Sequence, residues 1–425
     1  MRQVGKTTTI LEFLHSHYRH VNVINFKDSP TFKDIFKRAD FDHGIDRFLT
    51  ELSLMMPGSD FSEGSVVFLD EVQECSRARY SIKPLCAKTG LHIVASGSLL
   101  GIRGYNRETD GDVPTGSETI LTMRPMDFEE FLLAVGEGQK TLEYLRDCFA
   151  TRSPIAAPIH ERMLRLFQEY LVVGGMPEVV DIYLKTHSLS EVVAKQRSLV
   201  VEYRGDFGRF VDKTGAVRID ETLRQKLDLI LDSVPSQLAK ENSKFVYREI
   251  QGKPRKSAFV EALDWLCEFG LLCKCHRLHA LSLPLKAYAD PDAYKVYVQD
   301  TGLFLSMLDD GASNNVFTGN LGSYKGYIYE NVVADALIKQ NESLYYYGNE
   351  NGLEIDFILP FHAKPTLVEV KAKGGRAKAS RTVLADKKKY PEVEECIKLT
   401  ANNIGVAPPY STFPYYLAYL IGEEK

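Results

Sequence analysis

The chain has 425 residues and 44% hydrophobic content, enough for about two to four domains that each bury a core. A formal net charge of −5 excludes a uniformly basic nucleic-acid binder, although it is compatible with local basic patches. No run of about eighteen apolar residues occurs, and Met1-Arg2-Gln3 leads into a polar loop. The sequence therefore predicts neither a membrane span nor a signal peptide, and it indicates a cytoplasmic protein.

The first predicted element is the second half of a phosphate-binding loop. The full motif reads G-x-x-x-x-G-K-[ST]: backbone N–H groups surround phosphate oxygens, the Lys reaches the β- and γ-phosphates, and the Ser or Thr hydroxyl holds Mg²⁺. Gly5, Lys6 and Thr7 are present, and with Thr8 we assign them to nucleotide binding, with Lys6 also catalytic and Thr7 also a metal ligand. Apolar residues then recur at helical spacing, which places the loop at a helix N-terminus, where the dipole favours an anion: Ile10, Leu11, Leu14 and Tyr18.

A buried parallel strand is predicted next, over residues 65–71, and it carries two carboxylates to its C-terminal end. This pattern is typical of a Walker B element, in which Asp70 would hold Mg²⁺ and Glu71 would polarise the attacking water. The alternative is a solubilising acidic turn after a core strand, which is the commoner role of an isolated Asp-Glu pair. The upstream G-K-T favours the Mg²⁺ site.

A second buried strand, over residues 91–95, ends in Ser96-Gly97-Ser98. A polar side chain at this position can sense the γ-phosphate, so Ser96 and Ser98 are both candidates, with Ser96 assigned to catalysis. An ordinary turn at the end of a strand explains either serine equally well.

Motifs in a fixed order run along nearly the whole chain. The first part contains R-Q-V-G-K-T-T (2–8), V-I-N-F-K-D (23–28), F-L-D-E-V-Q-E (68–74), A-S-G-S (95–98) and R-P-M-D-F-E-E-F-L (124–132). The second part contains Y-L-V-V-G-G-M-P-E-V-V (170–180), P-S-Q-L-A-K-E-N (235–242), V-Q-D-T-G-L (298–303), Y-E-N-V-V-A (329–334), E-I-D-F and V-E-V-K. Together they resemble a large bacterial and archaeal group in which an AAA+ ATPase domain precedes a C-terminal domain of unknown function. The resemblance implies ATP and Mg²⁺ as cofactors.

The resemblance also bears on the start of the chain. In the family the loop reads G-x-R-Q-V-G-K-T, so the opening Gly would lie one residue before Met1. We therefore expect either that Met1 is an internal methionine chosen as the start or that the gene has lost its 5′ end. A sheet without the strand that precedes the loop would expose unpaired backbone edges, and nucleotide binding by such a chain would be in doubt.

Residues 1–125 alternate helix and strand patterns and are predicted to form the P-loop core, a three-layer parallel α/β sheet of the AAA+ type. A loop at 103–116 contains Arg103 and Arg107, which are candidates to reach phosphate or the nucleotide of a neighbouring subunit in a homo-oligomer. Solvated loop arginines are the alternative. Residues 126–215 are helical in pattern and correspond to the lid of an AAA+ architecture, where Arg204 and Arg209 either contact nucleotide or cap a helix.

Residues 216–310 have the layout of a winged helix. Three helical patterns at 223–231, 247–251 and 257–269 precede two strands at 271–278 and 295–299. The start of the third helix is basic and could neutralise DNA phosphates, through Arg248, Lys253, Arg255 and Lys256. Core residues on the same helix favour a protein–protein module instead, so both readings stay open.

The last predicted domain covers residues 311–425. Glu330 lies on a helix at 327–337, Asp356 lies in a hairpin formed by 344–347 and 353–359, and Glu369 and Lys371 share one face of a strand at 366–372. This order is that of restriction-endonuclease-like, PD-(D/E)xK nucleases, in which carboxylates bind Mg²⁺ and the Lys stabilises the attacking hydroxide. We assign all four residues to catalysis, and Asp356 and Glu369 also to Mg²⁺. A solvated ion-paired face and an inactive binding fold are the alternatives.

A basic stretch follows, which could track a nucleic-acid backbone or form a solvated surface: Lys373, Arg376, Lys378, Arg381 and Lys387-Lys388-Lys389. The leading functional hypothesis is an ATPase of the AAA+ type that couples ATP hydrolysis to a C-terminal nuclease-like or DNA-binding domain. The alternatives are a Mg²⁺-dependent nuclease and a DNA-binding regulator, each with a degenerate, truncated ATPase half.

Overall fold

The computed structural model describes residues 3–98, 118–211, 217–240, 244–320, 322, 325–340, 343–349, 352–371 and 378–422. The chain divides into two units. The first comprises Met1–Met123 and Asp206–Gln225, and the second comprises Arg124–Gly205 and Lys226–Lys425. The chain therefore passes from one unit to the other three times.

The first segment alternates helices and strands, as the sequence predicts for an α/β sheet. In chain order the elements are α1 (Lys6–His17), β1 (Val21–Asn25), α2 (Pro30–Arg38), α3 (Ile45–Met55), β2 (Val66–Asp70), α4 (Ser76–Thr89) and β3 (His92–Ala95). The strands predicted at 65–71 and 91–95 are confirmed as β2 and β3.

The strand β2 is central in a parallel sheet with the order β1-β2-β3. All five residues of β2 are buried, as expected of a parallel strand that is covered on both faces. Val66 and Phe68 pack with Leu14 of α1. Val67 and Leu69 point to the opposite face, into a larger apolar cluster that includes residues of α2, α3 and α4. The prediction of an α/β unit with parallel strands is confirmed.

Five helices follow: α5 (Phe128–Ala134), α6 (Gln139–Ala150), α7 (Ala157–Val173), α8 (Pro177–Thr186) and α9 (Leu189–Asp206). The contacts of residues 124–205 place them in the second unit rather than the first. A lid at 126–215 belonging to the ATPase core is therefore not confirmed. The physical reason is apolar packing: α7, for example, buries Met163, Phe167 and Tyr170, and it lies against helices from residues beyond 300.

The remaining elements are β4 (Arg209–Val211), β5 (Val217–Ile219), α10 (Glu221–Leu238), α11 (Lys256–Glu268), β6 (Leu272–Leu278), β7 (Ala289–Val298), α12 (Thr301–Ser306), α13 (Ala312–Phe317), α14 (Lys325–Gln340), β8 (Leu344–Gly348), β9 (Glu354–Phe361), β10 (Lys364–Val370), α15 (Lys378–Ala385), β11 (Cys396–Thr400), β12 (Gly405–Ala407) and β13 (Tyr410–Pro414). An antiparallel pair is formed by β4 and β5. The helix at 327–337 and the strands at 344–347, 353–359 and 366–372 were predicted within a few residues.

One mixed sheet of eight strands organises the second unit, with the order β12-β13-β11-β10-β9-β8-β6-β7. The pairs β6/β8, β10/β11 and β11/β13 are parallel, and the other pairs are antiparallel. The long helix α14 packs against β7, β8 and β10. One face of the sheet therefore meets a helix that carries Glu330.

The winged-helix layout is not confirmed. The second of its three helical patterns forms only a 3-10 turn, Tyr247–Glu249, which Gly252 and Pro254 follow closely in sequence. The predicted strand pair does form, as β6 and β7, but β6 also pairs with β8 and so joins the eight-stranded sheet. The four-part division at 1–125, 126–215, 216–310 and 311–425 stays a prediction. Among the described residues, no helix combines the length and apolar character needed to cross a bilayer.

Candidate nucleotide site and carboxylate cluster

The N-terminus of α1 has the form of an anion-binding site. Gly5 precedes the helix with φ 84° and ψ 10°, a left-handed conformation that glycine adopts without steric cost. Lys6, Thr7 and Thr8 form the first turn of α1, where the positive end of the helix dipole favours an anion. The predicted nucleotide-binding residues therefore lie together, with Thr7 and Thr8 exposed and Lys6 half-buried.

Asp70 lies opposite this turn at the C-terminal end of β2. Its carboxylate accepts a hydrogen bond from the Thr7 hydroxyl, with Oγ1 3.2 Å from Oδ2 and 3.3 Å from Oδ1. Asn25 at the end of β1 donates to Oδ2 at 3.1 Å, and Ser96 after β3 donates to Oδ1. The carboxyl ends of three parallel strands and the start of one helix therefore meet at this 3% exposed aspartate. The predicted pair of Thr7 and Asp70 is brought together.

Ser96 is a hydrogen-bond partner of Asp70, and its role as a sensor of the γ-phosphate stays a prediction. Ser96 is 5% exposed, and its hydroxyl donates a hydrogen bond to the Asp70 carboxylate. Its backbone also holds the neighbouring turn, because the Val72 amide donates to the Ser96 carbonyl at 2.9 Å. Ser98 is half-buried.

Glu71 follows Asp70 in an unusual backbone conformation. Its φ of 53° and ψ of 43° are left-handed, which costs a non-glycine residue about 1–3 kcal/mol and is concentrated at functional sites. Its amide donates to Asp70 Oδ1 at 3.1 Å, and its carboxylate accepts a hydrogen bond from the side chain of Gln73, which is 2% exposed. Sequence reasoning missed Asn25 and Gln73, although both lie in the motifs V-I-N-F-K-D and F-L-D-E-V-Q-E.

The donor set of this first site fits a nucleotide with Mg²⁺. A Thr hydroxyl and an Asp carboxylate are oxygen ligands of the kind that Mg²⁺ prefers, with phosphate oxygens supplying others. The side chains that the structure shows bonded to Asp70 are neutral hydroxyl and amide groups, so the charge of the carboxylate stays available to a cation. The outward N–H groups of α1 suit the phosphates.

The second predicted cluster lies on β9, which carries Asp356, on β10, which carries Glu369, and at Lys371 directly after β10. Lys371 Nζ lies 3.1 Å from Glu369 Oε2 and 3.7 Å from Asp356 Oδ2. The backbone holds both carboxylates, because the Val370 amide donates to Asp356 at 2.7 Å and the Ser380 amide donates to Glu369 at 2.9 Å. Lys371 therefore contacts two of the other three predicted residues, Asp356 and Glu369.

Glu330 joins the cluster through residues that the sequence did not single out. Lys295 on β7 lies with Nζ 2.9 Å from Glu330 Oε1 and 2.7 Å from Glu354 Oε1. The hydroxyl of Tyr297 donates to the same Glu330 oxygen. The only signals in the sequence are i, i+2 spacings: Lys295 with Tyr297, and Glu354 with Asp356.

Burial and the neighbouring charges in this cluster shift the pKa values of its members. Burial, together with repulsion from Glu330, raises the pKa of Asp356 to about 6. Burial would also raise the pKa of Glu330, but Lys295 and the Tyr297 hydroxyl outweigh it and lower that pKa. For Lys295, burial would lower the pKa, and the facing carboxylates Glu330 and Glu354 raise it instead. Nearby carboxylates also raise the pKa of Lys371, so both lysines are held in the cationic form, whereas burial favours the protonated form of Asp356.

The residues of this second cluster do not fit a divalent cation. An ammonium group already lies between Glu330 and Glu354, and another lies between Asp356 and Glu369. Within the described part of the chain, no group of three or more His, Cys, Asp or Glu side chains is arranged to hold a metal ion. The assignment of Asp356 and Glu369 to Mg²⁺ stays a prediction, and this arrangement of ammonium groups does not favour it.

Several basic side chains predicted to reach nucleotide or DNA are engaged in ion pairs. Arg204 pairs with Asp228 at 2.7 Å, and Arg209 pairs with Asp206 at 2.7 Å. Lys256 pairs with Asp292 at 2.5 Å. Arg103, Arg107, Lys373 and Arg376 lie outside the described residues.

Three family models match the chain. Residues 1–132 match a model described as an AAA domain. Residues 164–314 match the Domain of unknown function (DUF8612), and residues 325–407 match the Domain of unknown function (DUF4143). Comparison with curated proteins gives no match, and neither does comparison with solved structures. The N-terminal match is to an AAA-type, nucleotide-binding ATPase domain, and the C-terminal matches are to domains of unknown function.

Proposed function

We propose, from the AAA domain that residues 1–132 match, that the first unit binds ATP with Mg²⁺ and hydrolyses the nucleotide. The observation that carries the proposal is the contact of the Thr7 hydroxyl with the Asp70 carboxylate at 3.2 Å, at the N-terminus of α1 and the carboxyl end of β2. Phosphates bind at helix N-termini, and ligands of open parallel sheets bind beyond the carboxyl ends of the strands. The two features coincide here.

Each residue then has a defined role. The N–H groups of the turn from Gly5 to Thr8 and the Lys6 ammonium would bind the phosphates. Thr7 and Asp70 would hold Mg²⁺, which would neutralise phosphate charge. Glu71 accepts a proton from the attacking water, and Gln73 orients its carboxylate by donating to it.

The experiment is a measurement of Mg²⁺-dependent phosphate release from ATP. We expect Lys6→Ala to lose nucleotide binding and turnover together. Glu71→Gln should lose turnover by about a hundredfold or more while still binding ATP, because only proton transfer is removed. Glu51→Gln is the matched control, since Glu51 is a carboxylate in an exposed i, i+4 pair with Arg47 at 3.1 Å. Normal turnover in Lys6→Ala and Glu71→Gln would refute the assigned roles.

We also propose that the nucleotide state of the first unit acts on the second. Support comes from the succession of the AAA domain and the two domains of unknown function in one chain, and from the three points at which the chain passes between the units. In such a chain, an ATPase unit is covalently joined to the unit on which it acts. This proposal includes contact of the second unit with DNA.

Metal-dependent nuclease activity is less well supported than ATP hydrolysis. The approach of Asp356, Glu369 and Lys371 favours it. The Lys295 ammonium group between Glu330 and Glu354 opposes it. We expect plasmid DNA incubated with Mg²⁺ or Mn²⁺, without ATP, to remain uncut. Cleavage that disappears in Asp356→Ala would restore the nuclease assignment.

A further inference from the structure

Lys295 is buried to a degree that is unusual for a lysine. Lys295 is 1% exposed, and lysines are almost never buried so completely unless they form an ion pair. It lies on the inner face of β7, where its ammonium group meets Glu330 from α14 and Glu354 from β9. The ring of Tyr346 lies 5.2 Å from the ammonium nitrogen, within cation–π range.

The carboxylates around Lys295 outnumber the ammonium groups. Four carboxylates line the cluster, from Glu330, Glu354, Asp356 and Glu369, against the two ammonium groups of Lys295 and Lys371. Like charges held at such distances repel unless a cation lies between them. Glu330 and Glu354 have that cation in Lys295, at 2.9 and 2.7 Å, which are the distances of charge-assisted hydrogen bonds.

We propose that Lys295 is the resident cation of this cluster: its ammonium group holds Glu330 and Glu354 as a divalent metal ion would hold them, so the second unit is ordered without a metal. The lysine is tethered by the chain, so it cannot dissociate or be removed by a chelator. The Tyr297 hydroxyl is a second donor to the Glu330 oxygen that Lys295 contacts. This inference concerns the second unit alone and does not depend on ATP hydrolysis.

The proposal has a specific consequence, namely that removing Lys295 creates a metal site. Methionine has nearly the same length and shape as lysine but carries no charge. In Lys295→Met, Glu330 and Glu354 would face one another without a cation, and a divalent ion should take the position that the ammonium group left. The lysine thus determines which cation the cluster holds.

Thermal unfolding tests this consequence. The protein would carry Asp70→Asn, to remove the metal ligand of the first unit, and would be studied without nucleotide at about pH 8, where carboxylates are ionised. We expect Lys295→Met to lower the Tm of the second unit by roughly 10 °C in EDTA, the loss typical of breaking a buried ion pair. Millimolar Mn²⁺ should recover most of this loss, and the same Mn²⁺ should leave the Tm of the protein with Lys295 unchanged.

The matched control is the triple variant Lys295→Met, Glu330→Gln, Glu354→Gln, which lacks both the cation and the carboxylates. We expect a smaller fall in Tm and no recovery with Mn²⁺. If Lys295→Met folds but Mn²⁺ does not stabilise it, the proposal is overturned.

A second measurement covers the case in which Lys295→Met does not fold. Electron paramagnetic resonance counts bound Mn²⁺ in the Asp70→Asn protein that keeps Lys295. The proposal expects no bound Mn²⁺ attributable to the second unit. Mn²⁺ that binds there and is released by Glu330→Gln would overturn it.

Discussion

Asp70 is fixed by neutral hydrogen-bond donors from α1, β1 and the segment after β3. Ser96 contributes one of them, and hydrogen bonds to a charged group are worth about 1.5–3 kcal/mol. We expect Ser96→Ala to lower the rate of ATP hydrolysis about ten- to a hundredfold, since about 1.4 kcal/mol corresponds to a factor of ten. The measurement is steady-state turnover at saturating Mg²⁺, with Ser98→Ala as the control. A larger loss in Ser98→Ala would instead identify Ser98 as the phosphate sensor.

Asp300 illustrates a residue whose charge works against the fold. It is 1% exposed and accepts hydrogen bonds from the Gly175 amide and the Leu303 amide, both at 2.7 Å. Burial, with repulsion from Asp335, raises its pKa to about 6. As pH rises, Asp300 of the unfolded chain, with a pKa near 3.9, therefore loses its proton at a lower pH than Asp300 of the folded state. The stability from this group is complete below about pH 4 and is lost as pH rises through about 6.

The predicted outcome is a pH-dependent Tm for the second unit that Asp300→Asn flattens. The variant should be less stable overall, because an amide cannot accept hydrogen bonds at both of its ends. The free energy of unfolding that the variant loses relative to the original protein should be smaller at about pH 7.5 than at about pH 5. The reason is that the buried Asp300 of the original protein is ionised, and therefore destabilising, only at the higher pH. An equal loss at both pH values would contradict the raised pKa.

Among the elements, the turn between α7 and α8 is the most tightly constrained by its residues. Gly174 has φ 73° and ψ −165°, which is accessible essentially to glycine alone. A Cβ on Gly175 would lie 2.0 Å from the carbonyl oxygen of Met126 and 2.7 Å from its nitrogen, both backbone atoms. The Met126 amide donates to the Gly175 carbonyl at 2.7 Å, so neither segment can withdraw without breaking that bond.

We expect Gly175→Ala to destabilise the second unit by more than about 3 kcal/mol, or to prevent its folding, because a backbone clash has no cheap relief. Circular dichroism and thermal unfolding would measure the effect. Gly205→Ala is the control, since a Cβ on Gly205 in α9 meets nothing within 4 Å, and alanine is favoured over glycine in a helix by about 1 kcal/mol. Similar losses in both variants would refute the steric argument.

The elements also show how far local sequence patterns carry. The buried run of β2 and the alternation in β9 and β10 are local, so the strands and Asp70, Asp356, Glu369 and Lys371 could be found from the sequence. Lys295 could not, because a lysine that alternates with valines on a strand normally faces solvent. Its partners, Glu330 on α14 and Glu354 on β9, come from elements distant in sequence, and their packing makes Lys295 a buried ion-pair partner.

The same limit applied to larger groupings. The strand pair of β6 and β7 was recognised from its own residues, but its pairing with β8 depends on strands about seventy residues away in sequence. The sequence predicts a lid at 126–215 because helical patterns follow an ATPase-like segment there, whereas the contacts of residues 124–205 place them in the second unit. Long-range packing, which decides both, leaves no local pattern.

At the scale of the whole molecule, two units predict two unfolding transitions. Each has its own sheet and buried core, so calorimetry should resolve two melting steps. ATP with Mg²⁺ should raise the Tm of the first unit, since a ligand at a hundred times its Kd stabilises by about 2.7 kcal/mol. Lys6→Ala should abolish that rise. Glu71→Gln is the suitable background, because it is expected to bind ATP without consuming it during the scan.

The second transition then measures whether the units communicate. If the nucleotide state acts on the second unit, ATP must change that unit's stability by the coupling free energy, typically 1–3 kcal/mol, which is a shift of a few degrees in Tm. We expect such a shift in Glu71→Gln and none in Lys6→Ala. A first transition that moves while the second stays fixed would leave ATP binding intact and refute the coupling, because a ligand with no differential affinity for two states of a unit cannot drive it between them.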